Sequence, residues 1–367
     1  MFHLPDALMI TLSRHIDLSK SRLETFATLI IGCVCARTVN LSHIAGQFDT
    51  AAQIASNYRR LQRFFQFIRI DQDWLARVLL ALIGTQPPYT LCLDRTNWKI
   101  GRTDINLLVL CVAARRVRIP LMWTVVNKAG TSNLAQQQRL IRRALRVINA
   151  GAISALLADR EFTGGQWFDF LQENKIPFVI RVKENRLVRL ASGKTVSLAS
   201  LFRRHKHRRC PSTYRARFEG DETGHELWFA AKRLAGQERQ LIIVATTLEP
   251  GKGLALYRKR WQIECLFGDS KTRGLNLEDT RLTNPKKLET LIAVVALALV
   301  WSHLTATRVK GLKNIKRASH GYRRKSWFRT GFDTLRQWII HQPAKAADVW
   351  TQRWRQAENT LNYNGVV

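Results

Sequence analysis

The stretch YRKRWQIECLFGDSK, Tyr257 to Lys271, places the carboxylate of Glu264 shortly after three successive cations, Arg258 to Arg260. The pattern predicts a helix, on which each residue advances about 100° around the axis. Tyr257, Arg260, Glu264 and Lys271 then share a stripe roughly 60° wide and about 21 Å long. A stripe with one tyrosine, two cations and one carboxylate suits a long anionic ligand, such as a run of successive phosphates.

The charge balance points to the same kind of ligand. The 367 residues include 59 Lys plus Arg against 27 Asp plus Glu, a net charge of +32. Nucleic acid is the natural counter-charge for such a surplus, and a ribosome-like structural role or an acidic membrane surface are the alternatives. A hydrophobic content of 46% with 11 Trp indicates packed cores and excludes a purely basic tail.

Membrane and metal signals are weak in this sequence. The longest apolar runs, 26–36 and 291–301, are about half the roughly 20 residues that a membrane span needs, and the first residues lack the basic start of a signal peptide. We therefore expect a soluble intracellular chain. The six cysteines show no paired C-x-x-C spacing and read as reduced thiols. A zinc site at His205, His207 and Cys210 is a minor alternative, because no fourth ligand is visible.

Periodicity divides the chain into three parts. Residues 1–86 are helical throughout and predict a helical DNA-binding domain. Residues 87–284 give three strands, then helix, strand, helix, strand, which is an α/β pattern with a mixed sheet flanked by helices, in the order of an RNase H-like domain. This core holds a β-rich insertion at about 185–250 and a catalytic helix at about 253–271. Residues 285–367 form a helical, basic C-terminal region.

Two aspartates stand at predicted strand ends, Asp94 in the first strand and Asp159 in the fourth. Strands one and four lie side by side in this fold type, so both carboxylates would meet there, and the helix would deliver Glu264. Each aspartate alone fits an ordinary turn or helix cap, and Arg260 with Glu264 fits a surface i,i+4 pair. Together, three acids in a cationic groove indicate two hard cations for phosphoryl transfer.

At this point the sequence resembles a known family. The spacing Y-x2-R-x3-E-x6-K from Tyr257 to Lys271, LDRT at Asp94 and ADREF at Asp159 are similar to the motifs of cut-and-paste DDE transposases of bacterial insertion sequences, in insertion sequence family four. The resemblance covers about 88–275. It implies DNA cleavage at transposon ends followed by strand transfer into target DNA.

The resemblance also implies roles for individual residues. Asp94, Asp159 and Glu264 would be catalytic and bind two Mg²⁺ or Mn²⁺ ions. Three residues would hold phosphates at the transposon end: Tyr257, Arg260 and Lys271. Trp261 lies beside them and is the fourth candidate DNA contact, by stacking on an unpaired base, with packing on the core as the equal alternative. From their place next to Asp159, Arg160 and Glu161 are also candidates for holding that aspartate in position, and a solvated acid at a helix start is the alternative for Glu161.

The expected partners and location follow from the same resemblance. DNA would be bound as terminal inverted repeats and as target, by a homodimer assembled on the DNA in the bacterial cytoplasm, associated with the nucleoid. A membrane or small-molecule partner is not expected. Two other functions use the same residues: an RNase H-like nuclease or resolvase without strand transfer, and a DNA-binding protein without catalysis.

The C-terminal region contributes a further expectation. Arg308 to Arg329 hold nine Lys or Arg and no acid. Such a run is usually a solvated face, but the interleaved Tyr322, Trp327 and Phe328 favour a surface that tracks a nucleic acid strand.

Overall fold

The computed structural model describes residues 4–48, 51–114, 116–126, 130–203, 212–220, 226–233, 241–311, 313–319 and 321–363. The zinc alternative at His205, His207 and Cys210 lies outside these ranges. The helices are α1 Leu4–Ser13, α2 Lys20–Ala36, α3 Leu41–Ala45, α4 Ile54–Phe67, α5 Gln72–Ile83, α6 Leu134–Leu145, α7 Gly165–Glu173, α8 Leu198–Phe202, α9 Pro250–Tyr257, α10 Trp261–Ser270, α11 Pro285–Lys310, α12 Trp327–His341 and α13 Pro343–Tyr363. The strands are β1 Tyr89–Ile100, β2 Thr103–Ala113, β3 Arg118–Val126, β4 Ile153–Ala158, β5 Phe178–Arg181, β6 Leu187–Arg189, β7 Thr195–Ser197, β8 Ser212–Phe218, β9 Leu227–Arg233 and β10 Leu241–Thr246.

A mixed sheet organises these elements. Its strand order is β3-β2-β1-β4-β5-β10-β9-β8-β6-β7, with β1, β4 and β5 parallel and the other pairs antiparallel. The strands β1 to β3 are consecutive and antiparallel, whereas the parallel strands are connected through α6 and α7, which cross over the sheet. The predicted fold class, an RNase H-like α/β sheet flanked by helices, is confirmed.

The first strand differs from its predicted length. We predict Asp94 at the end of this strand, but β1 continues for six residues beyond it, to Ile100. The continuation is stable because β2 pairs with β1 along this whole part, from Asp94 opposite Val109 to Ile100 opposite Thr103. Asp94 therefore lies in the middle of a strand, at a position where the neighbouring strand β4 ends.

The β-rich insertion extends the sheet. Strands β9, β8, β6 and β7 continue it outward from β10, and the short helix α8 is part of the same region. The strand β10 itself pairs with β5, so the chain returns from the insertion to the centre of the sheet immediately before α9. This return brings the predicted catalytic segment beside β1 and β4.

Helix α11 is the centre of the helical part. By length and composition it is the one described helix that would be able to cross a membrane, yet 89% of its most apolar window is buried inside the protein. Helices α2, α5, α12 and α13 and strand β3 cover it. It is a core helix, and its apolar character serves packing.

The two helical ends of the chain pack on each other. Arg14 of the α1 region forms an ion pair with Glu358 of α13 at 3.2 Å. The indole N–H of Trp350 donates to the hydroxyl of Thr11 at 2.6 Å, and both residues are buried. Regions 1–86 and 285–367 therefore share one core around α11, so neither packs as an isolated module.

His303 of α11 makes stability depend on pH. Its side chain is 1% exposed and its ring lies 5.8 Å from the ring of Phe328. Burial, helped by the charge of Arg118, lowers the pKa of His303 to about 3. The unfolded chain binds this proton near pH 6.5. The contribution of His303 to the free energy of unfolding is therefore fully present above that pH and is lost as the pH drops towards 3.

We expect acidification from pH 6.5 to 5 to cost about 2 kcal/mol of folding free energy through this one group. His303→Phe keeps an aromatic ring against Phe328 and removes the titration. The difference in urea unfolding free energy between the two proteins, measured at pH 7.5 and pH 5, isolates the effect, since all other titratable groups are common to both. A pH-independent difference would contradict it.

Candidate active site

The two aspartates meet at one level of the sheet. Leu93 of β1 pairs with Ala158 of the parallel neighbour β4, and Asp94 and Asp159 each follow directly. Neighbouring strands are about 4.8 Å apart, and residues in register on parallel strands point to the same face. The predicted meeting of Asp94 and Asp159 is therefore supported by the register. Arg181 of β5 continues the row, and its guanidinium lies 3.8 Å from the Asp159 carboxylate.

The segment that carries the opening motif is not one helix. A 3-10 turn, Arg258–Arg260, separates α9 from α10. The thiol of Cys92 in β1 donates to the carbonyl oxygen of Lys259 in this turn at 3.7 Å, which places the turn against β1. The prediction of one continuous helix over about 253–271 is wrong in this respect, and the four motif residues do not share one exposed stripe.

Arg260 joins two of the three predicted acids. Its Nη1 lies 3.3 Å from Oδ2 of Asp94, and its Nη2 donates to Oε1 of Glu264. The Arg260 side chain is 12% exposed. One guanidinium thus holds the β1 carboxylate and the α10 carboxylate, whose residues are separated by 170 positions in the chain. The structure brings Glu264 to the aspartates through this contact.

The positive charge around Asp94 does not fully offset the cost of burying its carboxylate. Burial raises the pKa of Asp94 to about 6, although the backbone N–H of Arg95 and the charge of Arg260 oppose the shift. The charges of Glu161 and Asp159 raise this pKa further. A divalent cation at this position would offset both the burial and the repulsion.

The three predicted acids offer the right ligand atoms for a metal ion, but two of them are already in contact with Arg260. Among the described residues, no three His, Cys, Asp or Glu side chains are grouped closely enough to hold a metal ion. Arg260 contacts the oxygens of Asp94 and Glu264 that such an ion would need. The donor set itself fits, because Asp94, Asp159 and Glu264 supply the hard oxygen ligands that divalent cations such as Mg²⁺ prefer. The three acids are therefore suitable ligands for a divalent cation, and Arg260 forms ion pairs with two of them, Asp94 and Glu264.

A second ion pair connects the two aspartate motifs. Arg95, next to Asp94, donates to both carboxylate oxygens of Glu161 at 2.8 and 2.6 Å, and Glu161 lies two residues after Asp159. Arg95 also donates to Asn106 of β2 at 3.2 Å. This contact joins Glu161 to the β1 segment that carries Asp94. Arg95 was not predicted, although its position directly after Asp94 in LDRT was a signal.

The buried pair Arg118 and Asp269 holds α10 against the sheet. Arg118 begins β3, Asp269 lies near the end of α10, and their side chains are 10% and 2% exposed with a separation of 2.6 Å. Burial raises the pKa of Asp269, and the charge of Arg118 opposes that shift. No sequence motif indicated this pair. It sets where α10, and with it Glu264, lies on the sheet.

The remaining predicted DNA contacts have different environments. Trp261 is 58% exposed beside Arg260, so it is open to a ligand and is not a core residue. Tyr257 is 7% exposed and its ring lies under the Arg260 guanidinium at 5.9 Å. Lys271 is half-buried and already paired, 2.7 Å from Glu278 and 3.1 Å from the carbonyl oxygen of Asn97. Glu278, in the segment after α10, is the ion-pair partner of Lys271, and the predicted helical stripe gave no indication of this pair.

The fold and these acids define a class of enzyme, and sequence comparison identifies the family. The model of the transposase DDE domain matches residues 85–301, more than half of the chain. The chain belongs to this family: it is a DDE transposase, an enzyme of DNA transposition that uses divalent metal ions. The nuclease and the inactive binding protein are therefore less well supported than the transposase.

The chain has also been compared with curated protein sequences and with solved structures. A search of curated protein sequences finds no match. Among solved structures, the chain is similar to a piggyBac transposase in a synaptic complex with hairpin DNA, determined by cryo-electron microscopy, with a TM-score of 0.45 and 11% sequence identity. The similarity covers 96% of this chain and 82% of the other.

Proposed function

We propose that this transposase moves an insertion sequence of family four by cut-and-paste transposition, cleaving the DNA at the terminal inverted repeats and joining the freed ends to target DNA. The observation that carries the proposal is the placement of the three acids: Asp94 and Asp159 lie at one level of the sheet, and Arg260 links Asp94 to Glu264. The spacing of Tyr257, Arg260, Glu264 and Lys271 supports the family assignment.

In this proposal Asp94, Asp159 and Glu264 hold two Mg²⁺ or Mn²⁺ ions. The bound ions supply charge stabilisation of the attacking and leaving oxygens of a phosphodiester. The chain's own residues position the DNA. Arg260 exchanges its carboxylate partners for a phosphate, for which its forked guanidinium is suited. Trp261, exposed beside it, stacks on an unpaired base.

A cationic cleft next to Asp159 receives the DNA backbone. It has a volume of about 500 Å³ and its lining includes Arg160, Arg181 and Lys183, with Glu184 as its acid. Arg160 and Arg181 flank Asp159 in sequence and in the sheet, respectively. Phosphates on either side of the cleaved bond find counter-charge here, which keeps the scissile phosphate near the three acids.

The N-terminal region, 1–86, contributes a second DNA contact. A cleft of about 700 Å³ lies between α4 and the segment that follows the catalytic helix. Among the residues that the structure describes, its lining includes four cations and no acid: Arg59, Arg63, Arg281 and Lys287. Arg60 does not take part, because it pairs with Glu24 at 3.0 Å. Residues 87–284 are the catalytic core in this proposal, and 285–367 the basic C-terminal region.

The assembly and location are also proposed. Concerted cutting of two ends requires two active sites, so we place the enzyme as a homodimer on DNA, in the bacterial cytoplasm at the nucleoid. Size-exclusion chromatography with light scattering, with and without end DNA, tests the dimer.

The function is tested with a donor plasmid that carries the DNA flanking this reading frame, a target plasmid, Mg²⁺ and the purified protein. We expect double-strand cleavage at the element ends and joined donor–target products, both abolished by EDTA. Cleavage without joined products would instead show a nuclease, and binding without cleavage would show a protein that lacks catalysis.

A further inference from the structure

The segment between α11 and α12 forms a folded basic hairpin. The backbone N–H of Arg324 donates to the carbonyl of Lys316 at 3.1 Å, and that of Ala318 donates to the carbonyl of Tyr322 at 2.8 Å. Arg317 and Arg323 face each other in an antiparallel bridge. Like charges directly opposite one another destabilise such a pair. We define the basic hairpin as residues 313–319 and 321–325. The run from Arg308 to Arg329 contains no acid of its own, so the repulsion between Arg317 and Arg323 favours the binding of an external anion.

This basic hairpin is fastened to the catalytic core at two places. Arg116, between β2 and β3, donates to the carbonyl of Gly311 at 2.9 Å and to the side chain of Asn314 at 3.2 Å. Its guanidinium also lies 4.4 Å over the ring of Trp327. At the start of α12, Arg329 donates to the carbonyl oxygen of Arg273 at 3.3 Å, just beyond the end of α10. The hairpin is thus attached beside the end of the catalytic helix.

A cleft beside the basic hairpin is lined mainly by cationic side chains. Its volume is about 570 Å³, and the charged residues of its lining are Lys310, Lys313, Lys316, Arg324, Lys325 and Asp333. Asp333, its one acid, is already paired at 2.8 Å with Lys325 and at 2.8 Å with Arg329. Within the described parts of the chain, the other four cations of the lining have no acidic partner. The cleft therefore carries a net charge that a phosphate backbone would neutralise.

The aromatic residues decide which form of nucleic acid fits. Trp327 is 5% exposed and Phe328 is fully buried, so the sequence-based expectation that both lie on a strand-tracking surface is wrong. They begin α12 and pack into the core, where Phe328 stacks on Phe332 at 5.2 Å. Of the three aromatic residues in the run, Tyr322 alone is exposed, at 77%. Binding of single strands relies on successive aromatic stacking, whereas duplex backbone binding needs cations alone.

We propose that the basic hairpin and its cleft bind the phosphate backbone of duplex DNA, as a contact separate from the active site and from the α4 cleft. The inference rests on the proposed function, because the hairpin adjoins the end of the helix that carries Glu264. A duplex that leaves the active site along α10 continues onto Lys313, Lys316 and Arg324.

The test compares two double variants with the same loss of charge. Lys313→Ala/Lys316→Ala changes the hairpin, and Lys345→Ala/Arg355→Ala changes two exposed cations of α13. Binding to a 60-base-pair duplex and to a single strand of the same sequence is measured by fluorescence anisotropy in EDTA, over a range of KCl concentrations. We expect the hairpin variant to bind the duplex about tenfold more weakly at 0.1 M salt, with a salt slope smaller by about two. The α13 variant should match the wild type.

Equal affinities and slopes of the two double variants would overturn the inference, as would a loss confined to the single strand. Circular dichroism and melting temperature confirm that both variants fold. Failure of the wild type itself to bind or cleave end DNA would instead contradict the proposed function. If the wild type cleaved end DNA and both variants bound duplex DNA equally, the hairpin proposal would be contradicted and the proposed function would stand.

Discussion

Glu264→Gln is expected to reduce end cleavage by at least about a thousandfold while the protein still binds end DNA. The substitution keeps the shape of the side chain and removes the one predicted metal-ligating charge that α10 brings to Asp94 and Asp159. Loss of charge stabilisation worth about 4 kcal/mol at a metal site corresponds to three powers of ten in rate. DNA affinity should stay equal or rise, because one negative charge near the phosphates is gone.

The measurement is single-turnover cleavage of a labelled end duplex in Mg²⁺, with binding followed in parallel by anisotropy. Glu173→Gln is the matched control, since Glu173 is an exposed acid at the end of α7. Cleavage by the Glu264→Gln protein at more than a tenth of the wild-type rate would contradict a catalytic role for Glu264. Unchanged chromatography and melting behaviour excludes misfolding as the cause.

Arg260→Ala is expected to change metal binding and DNA binding in opposite directions. The Arg260 guanidinium contacts both Asp94 and Glu264, so it competes with a cation for their oxygens. Removing a charge-assisted hydrogen bond of about 1.4 kcal/mol should tighten Mn²⁺ binding in the absence of DNA about tenfold. End DNA should bind about tenfold more weakly, because a bidentate phosphate contact is lost.

Electron paramagnetic resonance of free Mn²⁺ gives the metal affinity directly, without reference to activity. Arg260→Lys keeps the charge without the forked geometry and should fall between the wild type and Arg260→Ala. Arg355→Ala removes an exposed arginine from α13 and should leave both affinities unchanged. If Arg260→Ala changed neither affinity, the contacts seen in the structure would have no part in function.

Much of the fold was predictable because it depends on local pattern. The three antiparallel strands before α6 and the helices of the N-terminal region lie where periodicity places them, since burial of one face selects the element. The length of β1 was not predictable. Beyond Asp94 the strand is held by pairing with β2, and that contact depends on a register that only the folded sheet sets.

The site was predictable to a similar degree. Motif spacing singled out Asp94, Asp159 and Glu264, and the sheet register supports the meeting of the two aspartates. The partners of these acids were not accessible in the same way. Arg181 lies on another strand and Arg118 pairs with a residue 151 positions away. Contacts between such distant residues carry no periodic signal.

By itself, the sequence determined the α/β sheet, the basic character and the three acids, because composition, hydrophobic period and motif spacing are properties of short segments. Only the tertiary structure decided that a 3-10 turn interrupts the catalytic segment, that Lys271 is paired with Glu278, and that Arg260 holds two of the acids. It also decided that Trp327 is buried against Arg116. The physical reason is the same in each case: exposure and ionic partners are set by which distant elements pack together.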